Sequence, residues 1–136
     1  MATSRQQVPD ESPLAAEMGF SKAVRAGRHI FVSGQMSLDA SGSVLHPGDL
    51  AGQFRQAFEH VVRAVEEAGG TAADVVATHM FLTEFPDEQG FVDVCDAHRA
   101  AFDSAEHRPT GTMVYVPRLP VPGALVEVTA TAVVDG

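Results

Sequence analysis

The sequence predicts an α+β two-layer domain, a β-sheet with two helices packed on one face. Three observations carry this expectation. Leu50, Phe54, Phe58, Val61, Val65 and Ala68 recur at spacings of 4, 4, 3, 4 and 3, the period of an amphipathic helix. A second helical pattern opens at Pro86-Asp87 and presents Phe91, Val94, Cys95, His98 and Phe102 on its apolar face. Segments rich in β-branched residues stand before, between and after the two helices, which gives the order ββ(β)αβαββ.

Each element has a local reason. Residues 1–13 are polar and read as a flexible tail, leaving residues 14–136 as a single domain. Phe20–Val24 and His29–Ser33 read as two strands joined by a tight turn at Ala26-Gly27. Val44 and Leu45, after the Asp39–Gly42 turn, are candidates for a third strand. Asp49 follows the punctuation of His46-Pro47-Gly48 and is a reasonable N-cap for the first helix, which Gly69-Gly70 ends. Asp74–Thr83 reads as a strand. Gly111–Val116 and Ala124–Val134 read as the last two, separated by a turn holding Pro117, Pro120, Pro122 and Gly123. With both helices on one face, the other sheet face needs a cover, and symmetric self-association is the simplest one.

Composition limits the function classes. The 136 residues carry a net charge of -9, which favours solubility and repels nucleic acid. There is no Trp and one Tyr, so little aromatic surface exists on which bases could stack. No stretch approaches the roughly 20 apolar residues of a membrane span. The N-terminal segment has no apolar signal-peptide core, and the single Cys95 has no internal disulfide partner, so a reducing cytoplasm is the expected location. The six histidines and one cysteine make no recognised metal-ligand spacing, and phosphate-binding glycine loops are absent, so neither metal nor cofactor is expected. Met36, Met80 and Met113 read as core filler.

The segment Arg108-Pro109-Thr110-Gly111-Thr112-Met113-Val114-Tyr115-Val116-Pro117-Arg118-Leu119-Pro120 resembles the signature of the Rid family, the reactive intermediate deaminases also called YjgF or L-PSP proteins. Other blocks match in order and spacing from about Ser12 to Val134. Phe20-Ser21-Lys22-Ala23-Val24 resembles the family's Tyr-Ser-Gln-Ala-Val opening, and His29–Gln35 its strand ending in Ser-Gly-Gln. Ala124–Val128 matches its C-terminal block. The resemblance implies a chorismate mutase-like fold, a homotrimer with three clefts at subunit interfaces, and cofactor-free hydrolysis of a small-molecule enamine or imine such as 2-aminoacrylate. The charge and the absence of a long apolar stretch make neither a nucleic acid nor a membrane an expected partner. Names used for the family also point to RNA cleavage or translation inhibition, which the net charge of -9 opposes here.

Carried over residue by residue, the resemblance is mixed. Glu127 matches the glutamate that positions or activates water, and Ser33 and Gly34 match the cleft strand. Phe20 stands where the family has tyrosine. Cys95 replaces an asparagine of the second helix, and His98 a tyrosine. Gly111 occupies the place of the arginine that grips the substrate carboxylate as a bidentate fork. From the residues alone, Glu127 is either a solvated strand carboxylate or a cleft base. Gly111 is either a point of backbone freedom at a strand start or the empty place of the arginine. Cys95 and His98, three apart on one helix, are either core neighbours or a reactive thiol–imidazole pair. His79, His98 and Tyr115 are secondary candidates.

These readings leave three functions open. One is imine or enamine hydrolysis with altered substrate choice. Another is a cyclisation, dehydration or C–C hydrolysis using Glu127 with Cys95 or His79. The third is a non-catalytic trimer that binds a metabolite or a partner protein.

Overall fold

The computed structural model describes residues 4–103 and 107–135. Six strands form one sheet in the order β1-β2-β3-β6-β4-β5, where β1 is Arg5–Val8, β2 Ala23–Ala26, β3 His29–Met36, β4 Val75–Leu82, β5 Thr110–Tyr115 and β6 Val126–Val133. Two long helices, α2 (Leu50–Glu67) and α3 (Glu88–Phe102), pack on one face, as the periodicity predicts. A short helix, α1 (Pro13–Met18), precedes β2. The last strand, β6, is central: it runs antiparallel to both β3 and β4. β5 lies parallel to β4 at the sheet edge, reached through α3, the usual crossover for a parallel pair.

The core follows from two periodicities. Along β6, Val126, Val128, Ala130 and Ala132 are buried against the helices, while Glu127, Thr129 and Thr131 point to the other face. From α2, Phe54, Phe58, Val61 and Val65 are fully or almost fully buried, each contributing about 1.5–3 kcal/mol relative to exposure. Asp49 caps α2 by accepting from the Gly52 N–H at 3.0 Å, and Gly69 follows its last turn at a φ of 94°. Met36 and Met80 are buried and Met113 packs against the same core. On α3 the buried residues are Val94, Ala97 and Phe102; Phe91, expected on that face, is 49% exposed.

Two segments differ from the sequence expectation. The polar tail expected over residues 1–13 contains β1, which pairs antiparallel with β2 (Arg5 with Ala26, Val8 with Ala23) and buries Val8. Backbone hydrogen bonds to β2 hold that strand with Val8 as its single buried side chain, too little apolar pattern for composition to reveal it. Residues 1–3 lie outside the described residues. The tail also runs into α1, capped by the Ser12 hydroxyl with Pro13 at the first helical position. The third strand expected at Val44-Leu45 is a single bridge, Leu38 to Val44. There the Asp39 carboxylate accepts from the Ser41 and Ser43 N–H groups and closes a turn, not a ladder.

One fully buried side chain ties helix to sheet. Gln53 donates from Nε2 to the Gly123 and His46 carbonyls, both at 3.2 Å, and accepts from the Leu125 N–H at 2.8 Å. It thereby fixes the chain entering β6. Gln53→Ala is expected to cost about 3 kcal/mol, through lost bonds and unsatisfied polar groups. That corresponds to a Tm fall of about 10 °C for a domain of this size, measurable by calorimetry. No helix among the described residues is long and apolar enough to cross a membrane.

Candidate functional site

Glu127 is the centre of the site. β-alternation turns it away from the core to the face opposite the helices, opposite Met36 on β3 and Phe81 on β4. The pairing of β3 with β6 shifts register between Val32 and Gln35, so Ser33 and Gly34 form a bulge. Bulges bend a strand and re-aim what lies on it, and this one brings Gly34 beneath the Glu127 carboxyl. A Cβ on Gly34 would stand 2.6 Å from Glu127 Oε2 and 2.7 Å from its Cδ, closer than non-bonded atoms approach. Glycine is therefore what allows the carboxyl to lie over the strand. Burial raises the Glu127 carboxyl above its ordinary pKa.

The carboxyl opens on a cleft of about 970 Å³. Phe20, Ser33, Gly34 and Glu127 line it together, so four of the sequence-predicted residues converge. Ser33 is anchored: its hydroxyl donates to the Ser21 carbonyl at 2.6 Å and its N–H to the Lys22 carbonyl at 2.9 Å. Its hydroxyl proton is thus committed, and lone pairs remain for a ligand. Sequence reasoning missed several parts of the wall. Pro9–Leu14 contributes, because the supposed tail folds against the domain. Pro120 and Val121, read only as a turn, form another part. His60 of α2 also lines the cleft, with Nε2 2.9 Å from the Leu38 carbonyl. The Ser12-Pro13 start signal was the one sequence feature that could have pointed to the first of these.

The other candidates lie elsewhere in the single chain. Gly111, on edge strand β5, pairs with Thr78 of β4 and does not line the cleft. Its φ is not in the left-handed region, and a Cβ there would meet Thr78 Oγ1 and Met80 Cε at 3.6 Å, ordinary contact distance. The backbone therefore does not require glycine, and the reading as a point of conformational freedom falls. Nearby Arg108 is paired with Asp103 at 2.8 Å.

Cys95 is a half-buried free thiol on α3. His98 places Nε2 3.0 Å from the Thr78 hydroxyl and packs edge-on to Phe58 at 5.4 Å. Thr78 donates onward to the Thr110 carbonyl at 3.2 Å, which makes His98 Nε2–H the donor in its own bond to Thr78. Burial lowers the His98 pKa, so the ring is neutral at pH 7. His98 is thus a structural link between α3 and β4. His79 is exposed on the face opposite the helices, and Tyr115 stacks on Phe85 at 5.1 Å. Neither lines the cleft. Among the described residues no three His, Cys, Asp or Glu side chains could hold a metal ion.

Fold and site together define a two-layer α+β protein whose sheet carries a half-buried carboxylate over a bulged strand. The family model described as endoribonuclease L-PSP matches residues 10–134. The chain belongs to this family, the L-PSP, YjgF or Rid proteins. The 3-aminoacrylate deaminase RutC of Acinetobacter baylyi is 33% identical over 110 residues, 81% of this chain and 82% of that protein. Among solved structures, Rv2704 of Mycobacterium tuberculosis, of the YjgF/YER057c/UK114 family, matches with a TM-score of 0.80 at 35% identity, covering 96% of this chain and all of that one. YjgF of E. coli matches with a TM-score of 0.75 at 33% identity, covering 96% and 98%.

Proposed function

We propose that this protein is a cofactor-free, deaminase-like hydrolase of an imine or enamine, with Glu127 as the group that handles water. The observation that carries the reading is the half-buried Glu127 carboxyl, held over Gly34 and facing a cleft it shares with Phe20 and Ser33. Similarity to a protein named 3-aminoacrylate deaminase supports the same class of chemistry.

In this reading the substrate enters as R₂C=NH₂⁺. Glu127 takes a proton from water as the water oxygen bonds to the imine carbon and the C=N pair moves to nitrogen. The protonated Glu127 then gives its proton to the carbinolamine nitrogen; the C–N bond breaks, the carbonyl forms, and the oxygen proton passes to the departing ammonia, leaving Glu127 as the carboxylate. The sum is R₂C=NH₂⁺ + H₂O → R₂C=O + NH₄⁺. A carboxylate with a raised pKa is suited to the first step, because it is a stronger base than an ordinary one. The reaction needs no metal or redox group.

The cleft of one chain is open, and the face opposite the helices exposes Phe31 (50%), Val76 (45%) and Val114 (41%). A homotrimer, working in the cytoplasm, would cover that face. It would also bring Gly111 and β5 of one copy towards the Glu127 cleft of the next. Glycine at the family's arginine position then leaves the substrate without its bidentate carboxylate grip, and substrate choice shifts accordingly.

The test is ammonium release from imines generated in situ by flavin amino-acid and amine oxidases. The purified protein is expected to accelerate release of ammonium from at least one class about 100-fold over the buffer reaction. A panel in which no imine is hydrolysed faster overturns the reading.

A further inference from the structure

We infer that the cleft selects a cationic iminium that lacks a carboxylate, the product of oxidising a simple amine. This rests on the proposed hydrolase reading and names its substrate class. Two features of the cleft carry it, the half-buried Glu127 carboxyl and the excess of carboxylates over cations in the lining.

The lining holds five carboxylates: Asp10, Glu11, Asp39, Glu67 and Glu127. Two cations oppose them, Lys22 and Arg63. Lys22 is already occupied, with Nζ 3.4 Å from Glu67 Oε2. Arg63 is exposed on α2, as Glu11 and Asp39 are at the rim, so the half-buried Glu127 is the charge that a bound group meets most directly. Glu127 itself has burial as the cause of its shift, with no cation acting to lower it. A substrate carboxylate beside it would place like charges together in a partly desolvated cleft, which is strongly disfavoured. The nearby arginines offer no remedy within the chain: Arg108 is held by Asp103, and neither it nor Arg118 lines the cleft.

An iminium without a carboxylate meets the opposite situation. Its positive nitrogen is attracted by Glu127 and by the acidic rim, and its organic group rests against Phe20, Pro120 and Val121. The step is R–CH=NH₂⁺ + H₂O → R–CHO + NH₄⁺, with no change of oxidation state. A reaction that oxidises primary amines to imines must supply this substrate. One that consumes aldehydes must remove the product.

Binding of two matched probes tests the charge preference without any turnover. Benzamidinium is a planar cation of the iminium shape, and benzoate is its anionic counterpart. By calorimetry or NMR titration, benzamidinium is expected to bind at least about 10-fold more tightly than benzoate, with a preference that shrinks as salt rises. Glu127→Gln is expected to abolish the difference. Benzoate binding as tightly or more tightly, no binding of either probe, or a benzamidinium preference that survives Glu127→Gln each overturns the inference. The hydrolase reading fails separately, by the absence of imine hydrolysis. Imine hydrolysis confined to carboxylate-bearing substrates would keep the hydrolase and overturn only this inference.

Discussion

Glu127→Gln is expected to lower kcat/KM for imine hydrolysis by about 100- to 10,000-fold, the contribution of a positioned general base. The substitution keeps the shape of the side chain and the contact with Gly34 but removes the proton acceptor. Fold integrity separates this from simple damage. Because burial raises the Glu127 pKa, the ionised carboxyl costs native-state stability. The sign follows from proton counting: with the folded pKa above the unfolded one, the native state holds the proton more tightly. Stability therefore falls as pH rises from the unfolded pKa through the folded one. Glu127→Gln should have a Tm equal to or above the parent at pH 7, with the difference vanishing below the ordinary carboxylate range. Parent activity should be lost on the acid side with a midpoint above that of an ordinary glutamate, because only the ionised carboxylate accepts the proton. Unchanged turnover in Glu127→Gln would remove Glu127 from the mechanism.

In the proposed homotrimer, where β5 of one copy meets the Glu127 cleft of the next, Gly111→Arg is expected to create a preference for carboxylate-bearing imines. A Cβ at this position meets only Thr78 Oγ1 and Met80 Cε, both at 3.6 Å, and the backbone is not left-handed. The residue is also exposed on an edge strand, so the variant should fold with a Tm within a few degrees of the parent. A charge-assisted bidentate contact is worth about 2–4 kcal/mol, which corresponds to a fall in KM for 2-aminoacrylate of about 30- to 1,000-fold. Steady-state kinetics on the paired variants gives the answer. A well-folded Gly111→Arg with no gain would mean that an arginine at this position does not reach the bound substrate.

Much of the fold was legible in the sequence because the signals are local. The apolar repeat of α2, its Asp49 cap and Gly69 stop, and the alternation along β6 each lie within a dozen or so consecutive residues. Each maps onto the observed element within one or two positions, apart from the earlier strand start expected at Phe20. β1 was not legible, since a short polar strand is held by backbone bonds to β2 that no side-chain pattern announces. The face of α3 was legible only in part: Phe91 has the right spacing but is half exposed, while Val94, Ala97 and Phe102 carry the burial. At the site, alternation placed Glu127 on the face away from the core. The contact that defines it, with Gly34, depends on a bulge in a strand far away in the chain.

By itself the sequence determined the α+β class, the two-helix layer and the family, because periodicity and short motifs are properties of neighbouring residues. Only the tertiary structure decided which distant residues meet. It placed Glu127, Gly34, Ser33 and Phe20 on one cleft and folded residues 9–14 into its wall. It turned His98 from a thiol's neighbour into a hydrogen-bond partner of Thr78. It also relieved Gly111 of any backbone duty. Those outcomes come from strand register, a bulge and the central position of the last strand, which are set by packing across the whole chain and not by any segment of it.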